Sequence, residues 1–231
     1  MNQVLREEKK FLIGMEEFRK LSHRLEQCLH QDKHNGVMGY PIRSLYFDTI
    51  YDRDYEEKLA GIETRRKIRL RCYDPNGDFA MLEMKQKQGA QQRKRSLRLS
   101  REDAIRLTKG DYTPLLHYGD SFAAECYGMM QMHCYRPKTV VEYRRKAFVA
   151  PENKIRVTFD NRLEATESCF DLFSPTLNMN PVLDPYTVVL EVKFNGFLLE
   201  YIKQMINSVD KSELSVSKYC LARQQGCLSR L

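Results

Sequence analysis

The sequence predicts an α+β fold, with a largely antiparallel sheet and short helices on its outside. Three observations predict it. About eight segments alternate apolar and polar residues with the period of two that marks a strand. Many of these segments follow one another directly, a pattern of antiparallel rather than doubly wound sheets. The helical segments are short and stand between groups of strands.

The elements follow in chain order. A strand is predicted over residues 6–13. A helix follows at 16–29, with Phe18, Leu21, Leu25, Cys28 and Leu29 on one face. Residues 32–36 read as a polar turn, and a strand over 43–47 ends in Asp48 and Thr49. Residues 52–60 read as a short helix closed by Gly61, a residue suited to the left-handed position after a helix. Three strands are predicted at 65–73, 80–87 and 93–99. Ser100 caps a helix over 101–109, whose first turn carries Glu102 and Asp103, where acids suit the helix dipole. Another helix covers 121–133, and strands occupy 138–149 and 154–161. Residues 174–185, rich in Pro and Asn, read as a loop. A strand at 187–194 leads through Asn195 and Gly196 to a helix at 198–208. A last helix starts near 215–217 and runs to about Arg223.

Composition bounds the function. The chain has 231 residues and reads as one domain, 1–231, long enough to build a core without staples. An apolar fraction of 42% argues against disorder, and a mean hydropathy of −0.58 argues against a membrane-embedded chain. No apolar run approaches the roughly 20 residues that span a bilayer. The charged start has no apolar core, so no secretory signal is expected. Seven scattered cysteines form no CxxC pair, which suggests reduced thiols and a cytoplasmic location. No HExxH or HxH, no GxxxxGK[ST] and no GxGxxG is present, so bound phosphate would have to be held mainly by side chains. The 38 Lys and Arg exceed the 31 Asp and Glu by 7, which calls for an anionic partner.

Strand periodicity places that excess. In RRKIRLRCY, Lys67, Arg69 and Arg71 point one way, and Ile68, Leu70 and Cys72 the other. In MLEMKQK, Glu83, Lys85 and Lys87 oppose Leu82 and Met84. In KIRVTFD, Lys154, Arg156, Thr158 and Asp160 oppose Ile155, Val157 and Phe159. In VLEVKFN, Glu191, Lys193 and Asn195 oppose Leu190, Val192 and Phe194, and Arg6, Glu8 and Lys10 share a face opposite Phe11 and Ile13. A wetted sheet face is expected to be polar in any antiparallel sheet. Here Arg and Lys dominate on five strands, and Glu8, Glu83, Glu191 and Asp160 are the evident acids. If the sheet closed with these faces inward, its lumen would be a cationic channel, costly to leave without an anion. Tyr46 and Phe47 read as packing residues.

These residues resemble a known family. The pieces are REEKKF at 6–11, RSLYFDT at 43–49, YEEKLAGIETRRKIRLRCY at 55–73, LEMKQK at 82–87, VEYRRKAF at 141–148, IRVTFD at 155–160, VLEVKFNG at 189–196 and SKYC at 217–220. Together they resemble the polyphosphate polymerase domain of the vacuolar transporter chaperone (VTC) type, in the triphosphate tunnel metalloenzyme (CYTH) superfamily, over nearly the whole chain. The resemblance implies a closed eight-stranded antiparallel β-barrel, a tunnel with flanking helices. It implies that Lys10, Arg69, Arg71, Lys85, Arg145 and Arg156 contact phosphates, with Tyr143, and with Ser217 and Lys218 on the C-terminal helix. Lys67 and Lys193 share faces with these residues by strand period. Lys94 is a further lining candidate, in competition with Arg93 and Arg95. The charge pattern alone would select Glu142, Arg144 and Lys146 as the lining set, whereas the resemblance selects Tyr143 and Arg145, and the expectation follows the resemblance.

The resemblance also implies that Glu191 holds Mn²⁺ or Mg²⁺. Two departures bear on the reaction. Hydrolytic members of the superfamily begin with Glu-x-Glu-x-Lys, where this chain has Arg6, Glu8 and Lys10. They also tend to carry paired glutamates on a late strand, where Glu191 is followed by Lys193. Fewer carboxylates and more cations favour synthesis: ATP donates its γ-phosphoryl group to a growing polyphosphate chain. The alternatives are a metal-dependent triphosphatase acting on tripolyphosphate or on a nucleoside or thiamine triphosphate, and a non-catalytic polyphosphate- or RNA-binding module. A further lysine of the family's C-terminal helix falls on Ser215 here, and Lys211 is its candidate substitute. The expected partners are ATP and inorganic polyphosphate or triphosphate, with no nucleic acid and no membrane insertion. The expected form is stand-alone, with any export left to other proteins.

Overall fold

A computed structural model describes residues 6–89, 91–213 and 217–228. Its elements in chain order are β1 (Arg6–Gly14), α1 (Met15–Glu26), β2 (His30–Gln31), β3 (Tyr40–Thr49), α2 (Arg53–Leu59), β4 (Arg65–Cys72), β5 (Phe79–Gln88), β6 (Gln91–Ser100), α3 (Arg101–Thr108), α4 (Ser121–Met132), β7 (Tyr135–Ala150), β8 (Ile155–Thr166), β9 (Asn180–Pro181), β10 (Thr187–Asn195), α5 (Glu200–Asn207), β11 (Ser212–Glu213) and α6 (Lys218–Leu228). The predicted α+β class holds. The strands pair in the order β11-β1-β10-β8-β7-β3-β4-β5-β6, with β2 on β7 and β9 on β8. The order begins and ends on different strands. Among the described residues the sheet is therefore not closed, and the implied eight-stranded barrel is not what these pairings form. The edge strand β6 carries Arg93, Lys94, Arg95 and Arg98, and charged side chains on an edge oppose further pairing. No described helix is long and apolar enough to cross a membrane.

The chain divides into two compact units, residues 1–41, 143–163 and 183–216, and residues 42–142, 164–182 and 217–231. In the first unit, β1 lies between β10 and β11, and β10 pairs in turn with β8, all antiparallel. One face is apolar: Ile155, Val157 and Phe159 of β8 and Leu190 and Val192 of β10 are buried against Phe18, Leu21 and Leu25 of α1 and Ile202 and Ile206 of α5. Burying each such side chain contributes about 1.5–3 kcal/mol. Helix α1 ends three residues before the predicted Leu29. The chain needs that length to turn into β2, where His30 and Gln31 pair with Val149 and Phe148. Gly39 is required here: its φ is +82°, and a Cβ would lie 2.3 Å from the carbonyl oxygen of Arg145.

The second unit is an antiparallel run of β3, β4, β5 and β6. Its apolar face buries Leu45, Phe47, Ile68, Leu70, Leu82 and Met84 against Leu107 of α3 and Phe122, Cys126 and Met130 of α4. The predicted caps are present: Ser100 Oγ accepts from the Asp103 N–H, and Gly61 takes φ +70° after α2. Asp120 caps α4 in the same way, accepting from Phe122 and Ala123. The sequence reading missed a 3-10 turn at Thr113–Tyr118, which Asp111 initiates by accepting from the Thr113 N–H. The last helix begins at Lys218; its predicted start at 215 and 216, and the Ser215 departure, lie outside the described residues. The six cysteines described are unbonded, and the side chain of Cys227 lies outside the described set.

Candidate functional site

Both units place cations on the sheet face opposite their apolar core. In the first unit the register sets Lys10 opposite Glu191 and Glu8 opposite Lys193, so charges alternate across the β1–β10 ladder. Lys193 Nζ is paired with Glu191 Oε1. Lys10 Nζ lies 2.6 Å from Glu8 Oε1 and 3.6 Å from Glu191 Oε2. On β8, Arg156 stands opposite Lys193 and Thr158 opposite Glu191. Arg156 donates to Asp32 Oδ2 at 2.8 Å. Arg145 grips Asp160 with two hydrogen bonds of 2.7 Å, Nε to Oδ1 and Nη2 to Oδ2. The buried ring of Tyr143 lies 5.4 Å from the Arg145 guanidinium carbon.

Burial lowers the Lys193 ammonium from its ordinary pKa, against the opposing pull of Glu191 and Glu8. Burial works against the Arg145 charge too, but Asp160 outweighs it and holds the guanidinium pKa well above its usual value. Members of the two alternative sets, Tyr143 with Arg145 and Glu142 with Arg144 and Lys146, have different partners. Arg145 meets Asp160 on the charged face, Glu142 accepts from Arg43 at 2.6 Å, and Lys146 pairs with Glu26.

The second unit is arranged differently. Its register aligns three lysines in one row across β4, β5 and β6: Lys67 opposite Lys85, and Lys85 opposite Lys94. Like charges directly opposite one another are destabilising. The next row is Arg69, Glu83 and Ser96. Glu83 is the single carboxylate on this face of the three strands, which also carries Arg65, Arg71 and Lys87. It is buried, and Arg69 Nε and Nη2 each reach its Oε2 at 2.7 Å, while Lys94 is paired with Oε1. Burial raises the Glu83 carboxyl pKa, but Arg69, Arg71 and the bond from Lys94 outweigh it and hold it at about 2. At β6 the neighbouring cations point to opposite faces. Lys94 faces Glu83, whereas Arg95 turns to Glu125 of α4, with both nitrogens at 2.5 Å from its oxygens.

Tyr46 lies on this face opposite Arg69 and accepts from its Nη1 at 3.1 Å. Burial would raise the pKa of the Tyr46 phenol, yet Arg69, Lys67 and Arg71 bring it down to about 8. Its ring stacks on Tyr219 at 5.2 Å, and Lys67 Nζ sits 5.7 Å from both rings. Lys67 donates to Ser217 Oγ, which places the start of α6 beside the lysine row. Tyr219 holds α6 by donating to Asp48 Oδ2 at 2.6 Å, and Asp48 also accepts from the N–H groups of Asp54 and Tyr55 at the start of α2.

The sequence reading assigned Tyr46 to packing and gave Asp48 and Tyr219 no part. Strand parity with Phe47 could have separated Tyr46 from the core. No local signal marks Asp48, whose partner Tyr219 lies 171 residues away. Glu191 and Glu8 supply hard carboxylate oxygens suited to a divalent cation. No group of three or more His, Cys, Asp or Glu side chains gathers among the described residues.

An apolar core under one face of the sheet and concentrated cations on the other define an α+β domain with a strongly basic sheet face. The chain belongs to the VTC domain family, whose model matches residues 5–226. Among solved structures, one from Bacillus halodurans described as a putative adenylate cyclase shares the fold, with a TM-score of 0.52 at 14% identity over 91% of this chain and 96% of that chain. A Vibrio parahaemolyticus protein of the same description gives a TM-score of 0.44 at 11% identity, covering 88% of this chain and 86% of that chain. No curated protein matches the chain.

Proposed function

We propose that the protein synthesises inorganic polyphosphate, transferring the γ-phosphoryl group of ATP to the end of a growing phosphate chain. The row Lys67, Lys85 and Lys94 carries this reading, because a polyanion relieves the repulsion of three ammonium groups aligned across neighbouring strands. Membership of the VTC domain family supports it. In this proposal Lys67, Arg69, Arg71, Lys85 and Lys94 hold successive phosphates, together with Ser217 and Lys218. Lys10, Arg145, Arg156 and Lys193, with Tyr143, make further phosphate contacts on the charged face of the first unit.

A terminal phosphate oxygen of the acceptor attacks the γ-phosphorus in line. One P–O bond forms, the bond to the bridging oxygen breaks, and ADP leaves with its electron pair. The nucleophile is already an anion, so no general base is needed. The fixed guanidinium and ammonium groups neutralise charge as it shifts between the oxygens. Glu191, with Glu8 beside it, is the group that would hold Mn²⁺ or Mg²⁺, with phosphate and water oxygens completing the shell. The bound ion would supply Lewis-acid polarisation of phosphoryl oxygens.

The test is product analysis after incubation with ATP and Mn²⁺ or Mg²⁺. Long-chain polymer with stoichiometric ADP is expected. Release of free phosphate from ATP or tripolyphosphate without polymer would replace synthesis by hydrolysis.

A further inference from the structure

We propose that Ser44 is a further phosphate-contacting residue, whose hydroxyl grips the same phosphoryl group as Nε of Arg71. This rests on the reading that the charged face of the second unit takes a phosphate chain. Ser44 on β3 stands directly opposite Arg71 on β4, one step along the same face from the Tyr46–Arg69 pair. Leu45 and Phe47 between and beyond them face the apolar core, opposite Leu70 and Ile68. Ser44 is therefore on the cationic side of the strand, although a serine hydroxyl adds nothing to the charge count.

Both donors are buried and unmatched. Ser44 is 0% exposed and Arg71 7%, and neither Ser44 Oγ nor Arg71 Nε has a hydrogen-bond partner among the described residues. The Glu83 carboxylate lies 3.7 Å from Arg71 Nε, beyond hydrogen-bond reach. Its Oε2 already takes two N–H groups of Arg69, and its Oε1 takes Lys94. A buried donor without an acceptor lowers stability, and native proteins keep few of them. Two side by side on facing strands, with Cβ atoms about 5 Å apart, form a site that one acceptor-only group can complete. A water molecule would satisfy the hydroxyl but bring no opposing charge to a guanidinium that shares Glu83 with Arg69 and Lys94. A phosphoryl group satisfies both, since its oxygens accept hydrogen bonds and carry the opposite charge.

The experiment is calorimetric titration with tripolyphosphate of the wild type, Ser44→Ala, Ser44→Cys, Arg71→Lys and the Ser44→Ala/Arg71→Lys double variant, alongside thermal melts without ligand. Ser44→Ala and the volume-conserving Ser44→Cys should each weaken binding by about tenfold, the scale of a hydrogen bond to a charged group. The ligand-free melting temperature of Ser44→Ala should be unchanged or higher, because an unmatched hydroxyl has been removed. In the Arg71→Lys background, which keeps the charge and loses Nε, the effect of Ser44→Ala should shrink below about twofold. Wild-type affinity in both Ser44 variants would overturn the inference, as would an undiminished loss in the Arg71→Lys background. A lower melting temperature with unchanged binding would make Ser44 structural and overturn it too. Failure of the wild type to bind tripolyphosphate would overturn the phosphate-chain reading itself, and this inference with it.

Discussion

Lys10, Lys193, Arg145 and Arg156 in the first unit meet Glu8, Glu191, Asp160 and Asp32 at close range. In the second unit Arg69, Arg71 and Lys94 converge on Glu83, and Lys67 and Lys85 stand in a row with Lys94. The two faces carry the same residue types on the same kind of sheet, and they differ in how the charge is compensated. Where each cation has its own carboxylate, the charges hold strands and loops in place, as Asp32 ties its loop to Arg156 of β8. Where several stand around one carboxylate, the proposed phosphate chain would supply opposing charge.

The largest effect expected is at Glu83. Replacing it with Gln leaves Arg69, Arg71 and Lys94 facing one another, and should cost on the order of 3 kcal/mol in chemical denaturation at neutral pH. Tripolyphosphate should bind Glu83→Gln more tightly than wild type and restore part of that loss. The pH dependence follows from the depressed carboxyl. Its ordinary pKa is 4.5 and its folded value about 2, so its stabilising contribution is complete above about 4.5 and lost as pH falls toward 2. Melting temperatures across that window should fall less steeply for Glu83→Gln. An equal slope would remove Glu83 from the centre of the comparison.

A second pair of variants separates receptor from scaffold. Lys85→Ala should weaken tripolyphosphate binding by about tenfold and cost less stability than Lys193→Ala, because it also relieves a like-charge row. Lys193→Ala should instead lower stability by about 2 kcal/mol, since it strips an ammonium from the buried Glu191. If Lys85→Ala proved the more destabilising of the two, the contrast between the faces would fail.

The smallest effect tests register within one strand. Lys94→Gln should weaken tripolyphosphate binding severalfold, whereas Arg95→Gln, which breaks contacts to Glu125 and Gln86 on the opposite face, should leave it within about twofold. Calorimetry under identical salt resolves the two, and matching losses would show that charge and not face decides.

Much of this was legible in the sequence. The element order, the Ser100 cap and the Gly61 closure follow from local chemistry, and so does the alternation that sends Lys67, Arg69 and Arg71 to one side and Ile68, Leu70 and Cys72 to the other. Family motifs added the choice of Arg145 over its neighbours, against the charge pattern. The closed barrel is implied by the family resemblance alone, because alternation within a strand carries no information on how the two ends of a sheet meet.

What the sequence determined by itself, then, is which side chains share a face, because a period of two is a property of each strand alone. Only the tertiary structure decided which acid meets which cation. Asp32 reaches Arg156 across 124 residues, and Tyr219 reaches Asp48 across 171. The lysine row exists only because Lys67, Lys85 and Lys94 fall in one register. Cross-strand register is set by the turns and by the apolar cores beneath, so the balance of charge on each face emerges only when those cores pack.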